Sequence, residues 1–137
     1  MSYAADVTPQ EAWQALTDDP RSVLIDVRTD AEWAYVGVPD LGPIDKQVAL
    51  VQWQRYPDGA LNTSFIDQVR GQGIDPDAPV YFICRSGARS TAAAAIASAE
   101  GFSAAYNVLG GFEGDLDADG HRGVGGWKAA GLPWRQG

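Results

Sequence analysis

The sequence is poor in sulfur and imidazole. One cysteine, Cys84, stands in 137 residues, beside one methionine and one histidine. A lone cysteine excludes an internal disulfide and a cysteine-rich metal site. A lone histidine, His121, leaves little for a His-based metal cluster or a Ser-His-Asp triad and reads as a loop residue. Basic residues are also scarce: 10 Lys+Arg face 18 Asp+Glu, for a formal net charge of −8. That balance disfavours duplex nucleic acid and anionic membranes as partners, because both attract positive surfaces. No apolar run approaches the roughly 20 residues that span a bilayer. The N-terminal stretch MSYAADVTPQ has neither the basic region nor the apolar core of a secretory signal. Core-forming residues are plentiful. Hydrophobic residues make up 45 %, with five Trp, five Tyr and four Phe, enough to bury a core in one domain spanning 1–137. The expectation is a single cytoplasmic domain with one thiol to explain.

The chain alternates between strand and helix signals. Thr8-Pro9-Gln10-Glu11 reads as a capping box with Pro at the first helical position. Trp13 and Leu16 share a face of the helix that follows, and Asp18-Asp19-Pro20 ends it. Val23–Val27 is apolar and β-branched almost without a break, as a strand buried on both faces should be. Residues 30–36 predict a short helix with Asp30 as its cap. The stretch 37–59 is broken by Pro39, Pro43 and Pro57, although 47–53 alternates well enough for one strand. Ser64 with Asp67 offers another helix start, with Phe65, Ile66 and Val69 as the buried face. The sequon Asn62-Thr63-Ser64 reads as part of that start. Val80–Ile83 predicts a second buried strand, followed by an alanine-rich helix that stops near Gly101. Residues 105–109 predict a third strand, and the glycine-rich 110–126 an irregular loop. Strands separated by helices imply an α/β fold, with a mainly parallel sheet flanked by helices on both faces.

The chemistry concentrates in VYFICRSGARSTAAAAIASAE, residues 80–100. A strand ends at Ile83, and Cys84-Arg85-Ser86-Gly87-Ala88-Arg89 leads directly into a helix. Ligand sites in α/β sheets lie at the carboxyl ends of strands. A helix N-terminus adds unpaired N–H groups and the positive end of the macrodipole. A tight loop with Gly87 can aim successive N–H groups inward as an anion-binding nest. Helix, nest and the two arginines all favour a thiolate at Cys84. The blander reading is a small hydrophobe packed at a strand end; two arginines and a glycine within five residues weigh against it.

This stretch resembles the active-site loop of the rhodanese family, the thiosulfate-type sulfurtransferases. VLIDVRTDAEW (23–33) is similar to the family's D-x-R segment, with Asp26, Arg28 and Glu32 in the matching places. NVLGGFEGD (107–115) and GWKAAGLP (126–133) are similar to its C-terminal end. The chain departs from the family at Gly37-Val38-Pro39-Asp40-Leu41-Gly42, where many members carry a Gly-His-Ile-Pro-Gly-Ala-like segment. The resemblance implies a five-stranded parallel sheet and ping-pong sulfur transfer through a Cys84 persulfide, with no metal or organic cofactor. Cys84 is then the nucleophile, and the loop Arg85, Ser86, Gly87, Ala88, Arg89 and Ser90 binds the substrate. Backbone N–H groups of 85–90 would hold the persulfide anion. Arg85 and Arg89 would bind the sulfonate oxygens, with Arg89 the first choice because it faces the helix start. Asp26 and Arg28 read as a structural ion pair. The partners implied are a small-molecule sulfur donor and a cyanide or thiol acceptor, or a protein acceptor.

Three rivals use the same residues differently. Cysteine phosphatases and arsenate reductases have a C-x5-R pattern, but here the sixth position after Cys84 is Ser90 and Arg89 is the fifth. A persulfide relay or redox-sensing module would use the loop unchanged and differ only in its acceptor. Inactive regulatory rhodanese-like domains usually lack the cysteine. One decoy is Asp115–Gly120, which imitates the opening of a calcium loop but has Gly126 where the twelfth position needs a bidentate Glu. Trp33 and Trp53 are candidates for lining the mouth of the site.

Overall fold

A computed structural model describes residues 3–54, 59–114, 118 and 125–136. The acidic Asp115–Gly120 stretch lies outside the described residues except for Ala118, and His121 lies outside them entirely. Five parallel strands form the main sheet: β1 (Ala5–Val7), β2 (Val23–Asp26), β4 (Ala49–Leu50), β5 (Val80–Ile83) and β6 (Ala105–Val108), in the order β1-β6-β5-β2-β4. A separate antiparallel pair joins β3 (Val38–Pro39) to β7 (Trp134–Arg135). The helices are α1 (Pro9–Asp18), α2 (Asp30–Tyr35), α3 (Phe65–Arg70), α4 (Ala88–Ala99) and α5 (Gly126–Ala129).

Residues alternate between two cores because a strand's side chains alternate between faces. Ile25, Val80, Phe82 and Ala105 pack with Phe65 and Val69 of α3 and with Ala93, Ala94 and Ala97 of α4. Leu24, Tyr81, Ile83 and Val108 pack with Ala12 and Leu16 of α1 and Trp127 of α5. The parallel sheet is thus covered on both faces, as expected. Full burial of one such large apolar side chain contributes about 1.5–3 kcal/mol. The alanines of α4 also bring the helix close to β5 and β6.

Local rules account for most helix starts. At Thr8 the expected capping box forms: the Thr8 hydroxyl accepts from the Glu11 N–H, and the Glu11 carboxylate accepts from the Thr8 N–H. The cap of α2 differs from expectation. Thr29, not Asp30, holds that place, because its extended backbone lets its hydroxyl accept from the Glu32 N–H while Glu32 accepts in return. Asp30 instead occupies the first turn, where a negative charge suits the helix dipole. At α3 the Ser64 side chain makes no cap bond; Asn62 does the ordering, accepting from the Ser64 N–H and donating to the Gln52 carbonyl.

The stretch 47–53 forms a shorter strand than expected, Ala49–Leu50, although the N–H groups of Val51 and Trp53 still bond to the carbonyls of Asp26 and Val27. The last residue of the glycine-rich 110–126 stretch, Gly126, opens α5. Strands β1, β3 and β7 are short and carry no alternation long enough to stand out in the sequence.

Candidate active site

Cys84 directly follows β5, the central strand of the sheet, and is 1 % exposed. Its loop leads into α4 through Gly87, whose φ of 119° lies where only glycine is at ease. That turn aims the Gly87 N–H at the Cys84 sulfur, 3.0 Å away. Ser90, in the first turn of α4 and fully buried, places its hydroxyl 3.2 Å from the same sulfur. The cysteine thus sits where an α-helix leaves N–H groups without intrahelical partners.

The loop rests on the turn after β6. The Cys84 carbonyl accepts from the Phe112 N–H at 2.7 Å and the Arg85 carbonyl from the Glu113 N–H at 3.0 Å. Gly111 makes this contact possible: at its φ of 60°, a Cβ would lie 2.7 Å from the Arg85 carbonyl oxygen. Gly110-Gly111 is therefore a floor for the Cys84 loop. Sequence reasoning registered it only as part of a terminal motif.

The loop's two arginines differ. Arg89 is forked onto Glu32 of α2, with Nη1–Oε1 at 2.6 Å and Nη2–Oε2 at 2.9 Å. Burial pushes the Glu32 carboxyl up, but the Arg89 and Thr29 hydrogen bonds, with the charges of Arg89 and Arg28, hold it down at about 2. The Glu32 hydrogen bond in turn raises the Arg89 guanidinium above its ordinary value, against a smaller opposing effect of burial. Arg85 is exposed and joins no ion pair among the described residues. Both arginines border an open cleft whose other walls include Thr29, Glu32, Tyr35 and Gln54.

Asp26 and Arg28 form a wholly buried ion pair at 2.7 Å, and Arg28 also donates to the Gly37 carbonyl at 2.6 Å. The pair secures the entry to β3, in keeping with its structural reading. Trp53 packs edge-on against Phe65 in the core, and neither it nor Trp33 lines the cleft. Two polar residues behind the cysteine escaped the sequence reading. Asn107 of β6 accepts from Ser90, and Asp6 of β1 accepts from Asn107. No sequence spacing links positions so far apart, although Asn107 stood inside the quoted C-terminal motif.

The family model of the STR4 middle domain matches residues 5–137. The chain belongs to that family, among the rhodanese-like sulfurtransferases. The crystal structure of Rv0390 from M. tuberculosis is 54 % identical, covers 98 % of this chain and 99 % of that one, and superposes with a TM-score of 0.91. A polysulfide-sulfur transferase homodimer from Wolinella succinogenes is 25 % identical over 99 % of this chain and 80 % of that one, with a TM-score of 0.69. The thiosulfate sulfurtransferase GlpE of Actinobacillus succinogenes is 27 % identical over 93 % of this chain and 87 % of its own length. Rhodanese-like architecture explains why the cysteine loop follows the central strand: the strand's end, the helix start and the Gly110-Gly111 floor converge there. Among the described residues no helix is long and apolar enough to cross a membrane.

Proposed function

We propose that this rhodanese-like protein moves sulfane sulfur from thiosulfate, or a related donor, to cyanide or a thiol through a persulfide on Cys84. The observation that carries the reading is the Cys84 sulfur held at 3.0 Å by the Gly87 N–H at the start of α4. The Cys84 thiolate attacks the outer sulfur of thiosulfate. A new S–S bond forms, the old one breaks, and its electron pair leaves with sulfite. The carbon of cyanide, or a thiolate sulfur, then attacks the outer persulfide sulfur and returns the pair to Cys84. Splitting one transfer into two displacements is covalent catalysis. The N–H groups of Arg85, Ser86, Gly87, Ala88, Arg89 and Ser90 hold the persulfide anion, and preorganised donors of this kind are worth a few kcal/mol.

The near-complete burial of Cys84 favours a donor that presents one outer sulfur atom. Arg85, exposed and outside any ion pair among the described residues, is the first binder of the donor's anionic end; Arg89 contributes while shared with Glu32. An unpaired, reactive thiol also suits a reducing cytoplasm. A second reading, transfer to a protein acceptor, is favoured by Tyr35, which is 80 % exposed on the cleft wall.

The intact mass of the protein before and after brief exposure to thiosulfate tests the reading, with Cys84→Ser alongside. The expected result is a gain of one sulfur atom in the wild type only, removed by cyanide as thiocyanate appears. No gain with thiosulfate, polysulfide or 3-mercaptopyruvate, or thiocyanate formation by Cys84→Ser, would overturn it.

A further inference from the structure

Behind Cys84 runs a line of polar groups that leads to the protein surface. The Ser90 hydroxyl lies 3.2 Å from the Cys84 sulfur, 2.6 Å from Oδ1 of Asn107 and 3.1 Å from the Gly87 carbonyl oxygen. Asn107 is 3 % exposed, and its Nδ2 donates to Oδ1 of Asp6 at 3.0 Å. Asp6 and Asn107 are register partners on the parallel strands β1 and β6, so their side chains share one face of the sheet. Tyr3 also donates its hydroxyl to Asp6 Oδ1, at 2.7 Å.

Donor and acceptor chemistry orients this line. A carboxylate only accepts hydrogen bonds, so Asp6 holds the NH₂ end of Asn107 toward itself. The amide oxygen then faces Ser90. A serine hydroxyl has one proton, and its shortest acceptor here is that oxygen. While Ser90 donates to Asn107, it can offer Cys84 only a lone pair, which matches a thiol. A thiolate or persulfide anion needs the proton turned toward sulfur, and Ser90 must then release Asn107.

We infer that Asn107, oriented by Asp6, is a positioning residue that competes with the Cys84 sulfur for the Ser90 proton and so restrains the anionic form of the sulfur. The inference rests on Cys84 being the sulfur carrier. Other charged groups around the site are Arg85 and Arg89 from the loop and α4, Asp26 and Arg28 from the end of β2, Glu32 from α2, and Glu113 beneath the loop. Changes at Asp6 or Asn107 leave all of these in place.

The test is the pH profile of iodoacetamide alkylation of Cys84, read by intact mass, for the wild type, Asp6→Ala and Asn107→Leu. The lone cysteine makes the readout unambiguous. About 0.5 M salt screens the charge lost with exposed Asp6, and Asn107→Leu loses no charge. Both variants should alkylate roughly three- to tenfold faster on the acidic limb, with the same rate on the alkaline plateau. Ser90→Ala should move the profile the opposite way. An unchanged acidic limb in Asp6→Ala, or equal acceleration at all pH values, would overturn the inference; so would a shift in Asp6→Ala with none in a folded Asn107→Leu. Asp6→Ala alone decides if Asn107→Leu does not fold. Alkylation needs no sulfur donor, so the inference is tested even where sulfur loading fails.

Discussion

Two acid–arginine pairs flank the Cys84 loop and do different work. Asp26 and Arg28 lie two residues apart at the end of β2, with both side chains 0 % exposed. Arg28 Nε and Nη2 converge on the Asp26 carboxylate, Nη2 reaches Gly37, and the guanidinium lies 4.3 Å from the centroid of the Phe112 ring. Glu32 and Arg89 lie 57 residues apart and join α2 to α4, with side chains about one-fifth exposed. The first pair is sealed from bulk solvent, so it works as a fixed brace. The second faces the cleft, where an incoming anion can compete with Glu32 for Arg89. Burial, more than the pairing itself, separates structural charge from charge that can meet a ligand.

The sharpest way to break this contrast is to neutralise one acid at a time. Asp26→Asn leaves a buried guanidinium uncompensated and should cost about 3–5 kcal/mol in urea unfolding. A cost no larger than that of Glu32→Gln would remove the distinction between brace and clamp. Glu32→Gln should cost about 1–2 kcal/mol near neutral pH, since solvent reaches the pair.

Its pH dependence has a defined sign. The Glu32 carboxyl stands at about 2 in the folded protein against an ordinary 4.5, so the folded state holds the proton more weakly. Its contribution is complete above the ordinary value and is lost as pH falls toward 2. The stability gap between wild type and Glu32→Gln should therefore close across that window. A gap that persists unchanged at its acidic end would show that the carboxylate's charge is not the source.

Kinetics sharpen the comparison within the loop. Arg85→Ala should raise the thiosulfate KM about tenfold, and Arg89→Ala about threefold, with the cyanide KM less affected in both. Equal effects of Arg89→Ala on the two substrates would make Arg89 structural. The least effect is expected from Tyr3→Phe, which removes one exposed bond to Asp6 and should change urea stability by less than about 0.5 kcal/mol.

Much of the fold was legible because local rules governed it. The Thr8 capping box, the apolar runs at 23–27 and 80–83, and the alanine-rich helix ended by a positive-φ glycine all appear where their residues predict. Strands β1, β3 and β7 were not legible. Two or three residues show no period, and these strands exist because a neighbour supplies hydrogen bonds. Thr29 displaced Asp30 as the cap of α2 because both are capping residues and only backbone geometry chooses between them.

The site divides along the same line. Cys84, its glycine turn and the following helix are contiguous, so the chain order alone dictated a thiol at a strand end under a helix N-terminus. The groups that support this segment come from elsewhere: Glu32 onto Arg89, Gly111 beneath the loop, and Asn107 with Asp6 behind Ser90. A hydrogen bond acts over about 3 Å, and which distant residues come that close is decided by strand order and register. Sequence was sufficient for the thiol and its local field; the tertiary fold determined which arginine pairs with Glu32 and which side chain accepts from Ser90 beside the sulfur.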